Sequence, residues 1–117
     1  MGEFIVAGDD VPVLSREIDR LLAAAARAGA SAVYLKPGAS PGIRVQGRLS
    51  NMRMPELTSS GIEALAREIL GVEEERALAK FSAAVFPYEI PQVGRFRISV
   101  FRRSSGFLLT ARCLRDD

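Results

Sequence analysis

Two alternating runs near the end of the chain constrain its fold more than any other feature. Residues 95–101 put Phe96, Ile98 and Val100 on one side and Arg95, Arg97, Ser99 and Phe101 on the other. Residues 108–114 oppose Leu109, Ala111 and Cys113 to Leu108, Thr110, Arg112 and Leu114. A period of two is the mark of a strand with one buried face. Between the runs, Arg103-Ser104-Ser105-Gly106 reads as a hairpin loop, with Gly106 suited to a positive φ. A one-residue slip would carry every side chain to the wrong face, so the matching of apolar sides sets the register. Arg102 then faces Phe107, Ser99 faces Thr110, and Arg97 faces Arg112.

That last pairing is unusual, because like charges directly opposite destabilise a sheet. No acidic residue occurs from Ile90 to Leu114, so the polar side offers two guanidiniums with nothing nearby in sequence to neutralise them. Arginine makes bidentate contacts to phosphate or carboxylate, and an anion would relieve the repulsion. Two readings stay open on pattern alone. One is an anion site; the other is a solvated strand face in a chain that prefers arginine throughout, its lysines being Lys36 and Lys80.

Composition removes most catalytic alternatives. The 117 residues are 48% hydrophobic and 26% charged, which suits one globular domain with its own core. They include no histidine and a single cysteine, Cys113. Ser-His and Cys-His pairs, an imidazole shuttle, an intrachain disulfide and a Cys/His zinc cluster are thereby excluded. Cys113, on an apolar strand face, reads as a small core residue. The run Glu73-Glu74-Glu75 points three ways around a helix and is a poor chelator. No Gly-x-x-x-x-Gly-Lys-Ser/Thr loop is present, so the chain holds no nucleotide in that manner by itself. A net charge of +2 gives no strong global field. The first residues lack a basic signal-peptide start, and no uncharged apolar stretch approaches the about 20 residues of a bilayer span, so a cytoplasmic protein without membrane insertion is expected.

The remaining chain reads as alternating elements. Residues 1–11 form a leader, expected to be flexible, ahead of a domain over 12–115. Leu14, Ile18, Leu21, Leu22 and Ala25 recur at helical spacing, and Gly29 sits where that helix ends. Short strands are predicted over 31–35, 43–45 and 48–52, the last two joined at Gln46-Gly47. A second helix carries Ile62, Leu65, Ala66, Ile69 and Leu70, capped by Thr58 or by a Ser60–Glu63 capping box and stopped by Gly71. A third follows, with Glu73–Glu75 in its first turn and Lys80 near its end. Residues 86–90 make a strand that Pro87 confines to an edge or bulge. The expected class is α+β, with helices packed on one face of a mainly antiparallel sheet.

Three segments together then carry a likeness: Arg-Ala-Gly-Ala-Ser-Ala-Val-Tyr-Leu at 27–35, Pro-Gly-Ile-Arg-Val-Gln-Gly at 41–47, and Gly-Arg-Phe-Arg-Ile-Ser-Val-Phe at 94–101. As a set, over about residues 14–115, they resemble the N-terminal, PAS-like domain of the type II/type IV secretion ATPases, most closely the PilT-type pilus retraction motors. The resemblance implies a PAS-like fold, and a non-catalytic domain that in its family precedes a RecA-like ATPase domain absent from this chain. It implies hexameric rings, packing against the ATPase domain of the same or a neighbouring subunit, and a part in twitching motility or secretion. Arginines of the terminal hairpin reach nucleotide phosphates in that family. By motif these are Arg97 and Arg112, with Arg95 as a further candidate; ATP is implied only through the other domain, and no cofactor or metal is expected in this chain. Departures fall on polar positions: Ala32 and Tyr34 replace the family's Asp and His, Gln46 and Val85 replace Asp, and Ala111-Arg112-Cys113-Leu114-Arg115 replaces the closing Phe-Arg-x-Ile-Pro. Two other functions fit the residues: a nucleic-acid-binding module with Phe101 as a stacking group, or a stand-alone adaptor or sensor.

Overall fold

Helix α1, Glu17–Arg27, forms because its apolar stripe has somewhere to go: Ile18, Leu21, Leu22 and Ala25 are all buried against the sheet. The computed structural model describes Leu14 and residues 16–114; the expected leader at 1–11 and Arg115 lie outside the described residues. Gly29 ends α1 as expected, at φ +84°. The start of α1 is capped from far away. Arg16, at the N-cap, makes no side-chain cap, and the Glu68 carboxylate instead accepts from the backbone N–H of Ile18 (2.8 Å) and Glu17 (3.2 Å).

The strands are β1 Ala32–Leu35, β2 Gly42–Val45, β3 Arg48–Asn51, β4 Ala83–Ile90, β5 Gly94–Arg103 and β6 Gly106–Leu114. They make one six-stranded sheet in the order β3-β2-β1-β6-β5-β4, antiparallel throughout. Gln46 (φ +51°) and Gly47 (φ +81°) are both left-handed, the conformation a two-residue hairpin needs between β2 and β3. The register of β5 on β6 is the expected one, with Arg102 opposite Phe107, Ser99 opposite Thr110 and Arg97 opposite Arg112. Strand β4 starts three residues before the expected 86, and it is an edge strand, as Pro87 requires. The fold class is as expected: α+β and PAS-like, with one sheet face covered by helices.

Two readings of the second helix are corrected. Helix α2 spans Ser59–Arg67, and its cap is Thr58, whose hydroxyl accepts from the Gly61 N–H at 3.0 Å. Glu63 is not in a capping box with Ser60; one turn later Arg67 engages it at 2.9 Å, and Arg67 also reaches Glu75 at 2.6 Å. Nor does Gly71 stop α2, which ends four residues earlier. Gly71 is the N-cap of α3, Val72–Phe81, where its N–H donates to the Glu74 carboxylate at 2.9 Å. Ile69 and Leu70 keep their packing role from the connection between the helices.

One core cluster joins these layers, with Phe96, Ile98, Val100, Leu109 and Ala111 from the hairpin at 1% exposure or less. At its border, the Tyr88 hydroxyl on β4 donates to the buried Asp19 carboxylate on α1. Burial, and then the Asp19 carboxylate, push the Tyr88 hydroxyl up to about 12. A folded value above the unfolded value of about 10 means that this contribution is complete below about pH 10 and is lost as pH rises through 12. Tyr88→Phe should therefore remove a stability loss between about pH 10 and 12 that the unaltered chain shows in denaturant titrations. Parallel alkaline profiles of the two proteins would overturn this.

Candidate functional site

The helices cover one face of the sheet, and on the other no outward residue of β1, β5 or β6 is buried. The strand registers place a transverse row across that open face: Pro87, Arg97, Arg112, Ala32, Arg44 and Leu49, one from each strand. Neighbouring strands lie about 4.8 Å apart, so Arg97 and Arg112 are adjacent, and Arg44 stands about 10 Å beyond Arg112 with only Ala32 between. Arg97 and Arg112 are exposed, and among the described residues neither is engaged by a carboxylate. The pair expected from register is therefore adjacent, with no compensating carboxylate among the described residues.

Arg95 is not in this row. It lies two residues along β5, between Glu89 and Leu114 in register, and has an interaction of its own. Phe101 is half-buried on the open face, with the Arg103 guanidinium 5.3 Å from its ring centroid. Cys113 faces the core side opposite Phe96 but is only half-buried, a boundary position for the residue expected inside. Among the described residues there is no group of three or more Cys, Asp or Glu side chains that could hold a metal.

Arg44 is the site residue that the sequence pattern did not single out. Its own strand marks it as outward-facing, but its alignment with Arg112 depends on β1 lying between β2 and β6, a long-range pairing. Its Nε donates to the Tyr34 hydroxyl (3.3 Å) and its Nη1 to the Gly47 carbonyl (3.2 Å), so the guanidinium is held in place.

No family model matches the chain. The type IV pilus retraction ATPase PilT of Pseudomonas aeruginosa is 33% identical over 90 residues, 77% of this chain. A crystal structure of the pilus retraction motor PilT with bound ADP superposes with a TM-score of 0.76 at 24% identity, over 89% of this chain. The ATPase DotB of Legionella pneumophila gives 0.69 at 21% identity, over 91%. The chain spans 26% of the length of the first PilT, and 30% and 31% of the two solved chains. Among the described residues no helix is long and apolar enough to cross a membrane. By sequence this chain is homologous to part of the PilT retraction ATPase, and by fold it matches the N-terminal region of the PilT and DotB chains.

Proposed function

We propose that the domain packs its open sheet face against a RecA-like ATPase domain, of its own or a neighbouring subunit in a ring. There it turns Arg97 and Arg112 toward the phosphates of bound nucleotide. The observation that carries this reading is the adjacent arginine pair, which among the described residues no carboxylate engages, on a sheet face that no described helix covers. The PilT structure with bound ADP supports the nucleotide as the anion. The domain's part is electrostatic: two guanidiniums, brought side by side by the strand pairing, oppose the charge that develops on phosphate oxygens during transfer.

The test is Arg97→Ala in a chain that carries the ATPase domain. ATP turnover should fall about tenfold, because the second guanidinium still contributes. Arg97→Lys should recover only part, since a point charge does not replace the planar fork. The substitution is on the exposed face, so thermal unfolding of the domain should be unchanged or slightly raised by the relief of like charge. Unchanged hydrolysis in both variants would overturn the role.

A further inference from the structure

The geometry points to a second anion site on the same face, for a phosphomonoester attached to a planar ring, built around Arg44 and Lys36. A cavity of about 430 Å³ opens at the β1–β2–β3 end of the sheet, within the about 300–1,000 Å³ of small-molecule sites. Tyr34, Lys36, Ser40, Arg44, Leu49 and Asn51 are the lining side chains that define its chemistry.

Charge selects the ligand class. Lys36 and Arg44 bring two positive charges, and no carboxylate lines the cavity. A phosphomonoester carries about −1.5 to −2 at neutral pH, which the two cations balance; a carboxylate would leave one of them unmatched. The donors are also prepared. Arg44 spends Nε on Tyr34 and Nη1 on Gly47, which fixes its plane and leaves Nη2 without a partner among the described residues. Since the Tyr34 hydroxyl accepts from Arg44, its own proton is available to a ligand oxygen. Ser40 and Asn51 add short polar side chains that can orient a bound group.

The apolar lining selects the rest of the molecule. Leu49 is 63% exposed on the cavity rim, and the Tyr34 ring forms another wall. A flat ring between them would cover Leu49 and gain stacking on Tyr34 while its phosphate meets Lys36 and Arg44. A nucleoside monophosphate has these parts. The site is complete within this chain, so it stands apart from the reading of Arg97 and Arg112 and requires no ATPase domain.

Isothermal titration of the 117-residue chain with adenosine monophosphate, adenosine and inorganic phosphate tests the inference. Adenosine monophosphate should bind at this site at least about tenfold more tightly than either half molecule. Lys36→Ala and Arg44→Gln should each weaken it about tenfold, since each removes a charge-assisted bond. Arg97→Ala should leave it within about twofold, since its backbone is about three strand spacings from Arg44. Lys36 is exposed and makes no hydrogen bond or ion pair among the described residues, so Lys36→Ala remains informative even if Arg44→Gln unfolds. The inference is overturned by monophosphate binding no tighter than phosphate or adenosine, by insensitivity to Lys36→Ala, or by a loss that follows Arg97 instead.

Discussion

Phe96→Ala should lower the unfolding free energy of the domain by about 3–5 kcal/mol. Phe96 is 1% exposed and the largest of the fully buried side chains, flanked across the sheet by Tyr88 on β4 and Cys113 on β6. Its loss removes the transfer free energy of a benzyl group and leaves a cavity that strands on both sides cannot close, because their spacing is set by backbone hydrogen bonds. A domain of this size is stable by only about 5–15 kcal/mol in total, so a large part of the margin goes. Urea unfolding should show a lower midpoint with an unchanged slope. A cost under about 1.5 kcal/mol would mean that the site collapses around the change and that the register has other guardians. The comparison with the adjacent residue sharpens the point. Arg97, one position along and on the opposite face, should cost almost nothing in the same assay while carrying the functional effect. Stability and function are thus read from alternate residues of one strand.

That separation explains what was legible in the sequence. The hairpin register follows from local alternation, so the pairing of Arg97 with Arg112 is contained in the sequence. The stripe of α1, the Gly29 stop and the edge character of β4 are equally local. What escaped the sequence was long-range. Glu68 caps α1 from about fifty residues away, because the end of α2 comes to rest beside it. Gly71 resembles a helix stop, yet Arg67 is already drawn to Glu75 and the chain has turned by then, so the glycine serves the following helix. Ser60 and Glu63 have capping-box spacing, but Thr58 takes the cap two residues earlier. Arg44 belongs to the arginine row only because β1 pairs with both β2 and β6. Adjacency between distant strands is a property of the sheet order, and no window of a few residues contains it.

Gly106 joins the two kinds of information, and replacing it with alanine should cost about 2–4 kcal/mol, the sum of backbone strain and a lost buried hydrogen bond. The local part was visible: Gly106 closes the β5–β6 turn at φ +119°, where L side chains are strained. The long-range part was not. A Cβ at this position would press into the Ser59 hydroxyl and lie 2.7 Å from Ser59 Cβ and 3.3 Å from Pro37. Ser59 Oγ accepts from the Phe107 N–H at 3.0 Å, so the displacement breaks the bond that ties β6 to the start of α2. Phe107 is 6% exposed, and water cannot readily replace that acceptor. Ser59→Ala alone should cost only about 1 kcal/mol, the hydrogen bond without the strain. Ser59→Gly should recover part of the loss in Gly106→Ala by removing the obstructing side chain, and the coupling measured in that double-mutant cycle should reach about 0.5–3 kcal/mol. If Gly106→Ala costs under about 1 kcal/mol, or if the two changes are additive, the contact with α2 does not hold the turn. If they couple, the turn is clamped from the helix side, and the opposite face of the same hairpin is left free to hold Arg97 and Arg112 in register against their mutual repulsion.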